Sequence, residues 1–117
     1  MNIPLRRLLF LIVLLSSFIG AAQEDFLAKQ YFQDGDYEKA VVFYEKLVET
    51  NPRRTDYAEG LVACYQQLER YDEAEAFLLQ KIEDSYAFPT FYIELGYNFT
   101  LKNEAKRPMP ITIRPSV

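Results

Sequence analysis

Asp34-Gly35-Asp36-Tyr37-Glu38-Lys39-Ala40 is followed, 34 residues later, by Leu68-Glu69-Arg70-Tyr71-Asp72-Glu73-Ala74. The same offset joins Leu27 to Leu61, Tyr31 to Tyr65, Tyr37 to Tyr71 and Ala40 to Ala74. A constant stride of this length marks a helix-turn-helix repeat that stacks into a solenoid, because one helical pair cannot bury its apolar face alone. Such a chain offers an assembly surface before it offers any reaction centre.

Outward from that turn, apolar residues fall at helical spacing on both sides. Leu27, Ala28, Tyr31 and Phe32 line the helix that enters it. Gly35 supplies a left-handed backbone, and Asp36 a cap for a second helix over residues 37–50. That helix carries Ala40, Val41, Tyr44, Leu47 and Val48 on one side and stops at Asn51-Pro52, since a residue before proline avoids helical angles. Thr55 is the expected N-cap of a third helix with Leu61, Val62 and Tyr65 one turn apart. A fourth is expected over about 71–85, with Ala74, Phe77, Leu78 and Ile82 inward, and Pro89 opens a fifth over about 90–101.

These residues resemble tetratricopeptide repeats. Leu27, Ala28 and Tyr31 match the family's large, small and aromatic positions on a first helix, and Leu95, Gly96 and Phe99 match them again. Gly35 stands at the turn glycine, Tyr37 and Tyr71 at the following aromatic, and Ala40 and Ala74 where paired helices approach closely. Tyr44 and Pro52 match the next aromatic and the closing proline; Tyr92 stands where the family favours tryptophan. Val62 in place of a small residue, Glu69 in place of the turn glycine and the late Pro89 depart from the pattern. The resemblance covers about residues 21–105, as repeats 21–54 and 55–88 and a half repeat 89–105. It implies an all-α, right-handed helical-hairpin solenoid of two complete repeats plus the first helix of a third. It also implies a concave face, lined by the first helices, that holds a peptide or extended protein segment. Asp25, Lys29, Phe32, Glu59, Gln66, Tyr97 and Thr100 correspond to that face. A carboxylate clamp of paired Lys and Asn is not expected, since Lys29 alone is suitably placed.

Residues 1–22 stand outside the repeat. Arg6 and Arg7 precede an apolar run over residues 8–15, and Gly20-Ala21-Ala22 supplies small residues before Gln23. That order is expected of a secretory signal peptide cleaved before Gln23. As an uncleaved anchor the segment is short against the roughly 20 apolar residues that span a bilayer. The reading is an exported chain, periplasmic or secreted and of bacterial type, touching membrane only through residues 1–22 if they are retained.

Charge narrows the partners. The chain carries a formal −4, but residues 23–105 hold 8 basic and 17 acidic side chains, a net of −9. Lys106, Arg107 and Arg114 place three of the five compensating charges in a basic, proline-rich tail at 106–117, and Arg6 and Arg7 are the other two. An acidic body is repelled by phosphate backbones, so nucleic acid is not an expected partner. There is no His, Cys64 is the single cysteine, and no phosphate-loop or calcium-loop spacing occurs. The commonest general base and zinc ligand is therefore missing, a thiol would lack its activating imidazole, and neither an enzyme nor a cofactor is expected. Cys64 reads as a buried, inert thiol. Asn98-Phe99-Thr100 fits a glycosylation pattern but falls within a helix, where it reads as incidental.

The fifth helix is apolar on nearly every side, through Phe91, Tyr92, Ile93, Leu95, Tyr97, Phe99 and Leu101. Its Tyr92, Leu95 and Phe99 side should meet a sixth helix, yet three prolines within 108–117 prevent a long one there. Burying those three residues would contribute roughly 5–9 kcal/mol. The open face is expected to be covered by Met109, Ile111 and Ile113 of the tail, or by another copy or a partner's helix. Otherwise the chain is a shortened or remnant form of a longer repeat protein without independent binding.

Overall fold

The computed structural model describes residues 3–84 and 88–107, without the side chains of residues 17–21. Among these residues there are five helices and no strand: α1 (Leu5–Gln33), α2 (Tyr37–Thr50), α3 (Thr55–Gln67), α4 (Tyr71–Glu83) and α5 (Pro89–Lys106). The architecture is the all-α series of helical hairpins expected from the repeat. It divides into two compact units, with the boundary between Leu61 and Val62 inside α3.

In the first unit, α1 and α2 are joined by three residues, a length that makes neighbouring helices antiparallel. The turn is built from backbone hydrogen bonds. The Gly35 N–H donates to the Phe32 carbonyl (3.1 Å) and the Asp36 N–H to the Tyr31 carbonyl (2.9 Å), with Gly35 at φ +80°. This pair of bonds around a left-handed residue is a Schellman motif, which satisfies carbonyls left over at the helix end. Ala28, Ala40 and Leu47 are fully buried beneath it, with Val41 and Tyr44 nearly so. Tyr31 is half-buried and stacks on Phe43 at 5.5 Å, and Phe32 meets Tyr37 edge-on at 5.3 Å.

The second unit repeats the turn bond for bond. The Glu69 N–H donates to the Gln66 carbonyl (3.1 Å) and the Arg70 N–H to the Tyr65 carbonyl (2.8 Å), each 34 residues after its counterpart. Glu69 holds the left-handed place of Gly35 at φ 58°. The departure from the family's glycine therefore changes the residue and leaves the turn. Val62, Cys64, Tyr65, Ala74, Leu78 and Phe91 form the interior of this unit.

Several local expectations differ from the structure. α1 does not begin with the repeat after residue 22 but runs without a break from Leu5, because nothing between the apolar run and the first repeat stops a helix. Asp36 occupies the N-cap position of α2, yet its carboxylate pairs with Lys39 at 3.4 Å and no side-chain cap forms. Thr55 is already helical; Arg54 precedes it, and its carbonyl accepts from Ala58 at the start of α3. α4 ends at Glu83, and residue 85 lies outside the described residues. α5 continues five residues beyond 101, to Lys106, through a stretch rich in good helix formers. The tail residues 108–117, with Met109, Ile111 and Ile113, lie outside the described residues.

Candidate functional site

In the first unit, Asp25, Lys29 and Phe32 fall at i, i+4 and i+7 on α1, which sets them along one side of the helix. The Lys29 ammonium lies 3.2 Å from Asp25 Oδ2, while Asp25 Oδ1 accepts no hydrogen bond among the described residues. Lys29 is exposed; Phe32 is half-buried by its contact with Tyr37, and Glu59 on α3 is half-buried. Nearby, Arg54 makes a two-pronged bond to Asp56 (2.9 and 2.7 Å) and lies 4.3 Å over the Tyr57 ring. The Asp56 carboxyl is held below its usual range by that bond, and the Arg54 guanidinium is correspondingly raised.

In the second unit the candidate residues separate. The Gln66 amide donates to Asn98 Oδ1 at 3.4 Å, and Asn98 Nδ2 donates to the Tyr71 carbonyl at 2.9 Å. Asn98 is fully buried, so it ties α5 to the end of α3 and the start of α4 and is no glycan acceptor. Tyr97 and Thr100 lie on the exposed side of α5, where the Thr100 hydroxyl donates to the Gly96 carbonyl at 3.2 Å. Gln66 therefore addresses the packed side of α5, and Tyr97 and Thr100 the open side.

Glu69, Tyr71, Asp72, Lys102, Ala105 and Lys106 line a cleft of about 250 Å³ between the start of α4 and the end of α5. Lys102 bridges it, 2.6 Å from Asp72 and 3.3 Å from Glu75. The bond to Lys102 holds the Asp72 carboxyl below the usual carboxylate range, and Asp72 followed by Glu75 raises Lys102. Cys64 is fully buried, and burial pushes its thiol up to about 12, so no thiolate forms at neutral pH. No cluster of three or more metal-ligating side chains occurs among the described residues.

The open side of α5 is clearest when the repeat register is followed. Ala28 and Val62 are both 0% exposed, whereas Gly96 at the same place in the third repeat is exposed and a Cβ there would meet nothing within 4 Å among the described residues. Ala58 is buried; its successor Tyr92 is 56% exposed. Tyr65 is buried; its successor Phe99 is 41% exposed. Leu95 is half-buried at the margin.

Three residues that organise these surfaces escaped sequence reasoning. Asn98 stands 34 residues after the buried Cys64, and a polar residue at that core position signals an internal hydrogen-bond anchor. Lys102 lies beyond the expected end of the fifth helix. Gly60 sits in α3, where a Cβ would press on the Tyr44 ring of α2, 2.7 Å from Cζ.

Residues 31–84 match a family model described as Tetratricopeptide repeat. No curated protein and no solved structure matches the chain.

Proposed function

We propose that this chain, with its tetratricopeptide match over residues 31–84, is an exported scaffold that holds an extended segment of a partner protein. Tetratricopeptide repeats are generally non-catalytic protein-interaction modules. The single observation that carries the reading furthest is the bond-for-bond recurrence of the hairpin turn at Gly35 and Glu69. A recurring turn sets the first helix of each unit in the same relation to its own second helix, so each unit presents first-helix side chains from matching register positions. Asp25, Lys29, Phe32 and Glu59 supply mixed charge and aromatic contacts in the first unit, and the groove rests on these; in the second unit Gln66 turns to the packed side of α5 and Tyr97 and Thr100 to its open side.

Export rests on residues 1–22. The described apolar side chains from Leu5 to Leu15 are all exposed and add nothing to the core, which suits a segment removed after delivery. An envelope fraction should contain a chain starting at Gln23; an unprocessed N-terminus there rejects cleavage.

Binding is tested by affinity capture of a partner from the native envelope, compared between the wild type and Lys29→Glu. Lys29 is exposed, so the reversal leaves the fold intact while repelling whatever the Asp25–Lys29 pair receives. Loss of a specific partner with an unchanged melting curve supports the reading. Equal capture by both proteins rejects this face.

A further inference from the structure

The open side of α5 is neutral as well as apolar. Between Phe91 and Asn103 the only charged side chains are Glu94 and Lys102, and both are half-buried on the packed side. The exposed side holds Tyr92, Ile93, Gly96, Tyr97, Phe99 and Thr100. Elsewhere the acidic body, within a chain of net −4, sets like charges against a second copy; this surface does not.

Its size fits the same occupant. Three rings that each bury about 150–250 Å² when enclosed, together with Ile93, leave about 500 Å² of open surface per copy. Two such faces together bury about 1,000 Å², the lower bound for a specific interface. A contiguous apolar patch of that size is at the upper end for a monomer. Gly96 lies near the centre of the face, and among the described residues an added Cβ there would meet nothing within 4 Å, so another helix backbone has room to approach.

We infer that α5 pairs antiparallel with α5 of a second copy of this chain, with the two-fold axis passing close to Gly96. Residues equally spaced on either side of the axis then meet: Tyr92 of each copy packs against Phe99 and Thr100 of the other. This isologous arrangement closes as a dimer and leaves no unpaired apolar face of α5 to propagate. It is independent of the groove proposed above, since it uses neither Lys29 nor the first unit.

Sedimentation of the full chain, with and without Phe99→Ser, and oxidative cross-linking of Gly96→Cys test the pairing. The expected results are a wild-type dimer, at least a tenfold weaker dimer for Phe99→Ser, and a cross-linked dimer for Gly96→Cys. Thr100→Cys alone should not cross-link, because its two copies lie about 12 Å apart along the paired helices. Mixing Tyr92→Cys with Thr100→Cys should restore the cross-link. The buried Cys64 stays silent in folded protein. A monomeric wild type without a Gly96→Cys cross-link overturns the inference. So does a wild type that dimerises only after residues 108–117 are deleted, which would make the tail the occupant. Dimerisation that is indifferent to Phe99→Ser overturns it as well.

Discussion

Glu69 holds a left-handed backbone at φ 58° without being glycine, and it does so on the surface of a turn whose hydrogen bonds are complete. The left-handed conformation costs an L-residue about 1–2 kcal/mol, part of which glycine loses again through its freer unfolded chain. Glu69→Gly should therefore stabilise the protein by about 1 kcal/mol in a denaturant titration. Gly35→Ala should lose a similar amount: among the described residues no atom lies within 4 Å of its added Cβ, so the penalty is backbone conformation alone. Equal midpoints for wild type and both variants would refute the equivalence of the two turns. The sequence made Gly35 readable, since glycine three residues before Glu38 announces the turn. It could not show that Glu69 adopts the same angles, because glutamate carries no local sign of them. Asn98 is a similar case: its neighbours spell a surface glycan pattern, and only the 34-residue register marks the position as interior.

Between elements, two contacts decide how helices meet. Gly60 lets α3 approach the buried Tyr44 ring of α2. Alanine would improve helix propensity by about 1 kcal/mol, against about 1–3 kcal/mol for overpacking a ring that has nowhere to go. Gly60→Ala should thus lower the melting temperature by several degrees rather than raise it; a rise would show that Tyr44 swings aside freely. A glycine inside a helical pattern looks like a defect until the opposing ring is known, which is why the sequence was silent here. The second contact is Lys102 of α5, held by Asp72 and Glu75 of α4. The depressed Asp72 carboxyl contributes stability that is present above its unfolded value near 3.9 and lost as pH falls through its lower folded value. Raised Lys102 contributes below its unfolded value near 10.4 and loses that contribution as pH rises through its folded value. Stability should therefore be level from about pH 5 to 10 and fall on both sides by this linkage. Lys102→Met should lower that plateau and flatten both limbs in urea titrations across pH. Limbs as steep as those of the wild type would show that other groups set them.

At the scale of the whole molecule, the repeat register made the hairpins legible, because their core positions recur at a fixed stride; the beginning of α1 was not legible. Residues 5–22 and the first repeat are both made of helix-compatible residues, so local propensity carries the helix across Gly20-Ala21-Ala22 without a boundary. What separates the two parts is burial. From Leu5 to Leu15 the apolar side chains are exposed, whereas Ala28 is the first fully buried residue among the described side chains. Helix continuity and membership of the folded body are thus different properties, and only the second affects cooperative unfolding. Removing residues 1–22 should leave the thermal midpoint within about 2 °C of the full chain, a shift below roughly 0.5 kcal/mol for a protein of this size. The loss of helical signal should be confined to the removed residues, as read by circular dichroism of the two proteins at equal molar concentration. A fall of 10 °C or more would mean that the exposed apolar segment supports the first hairpin, and would place it within the folded body rather than before it.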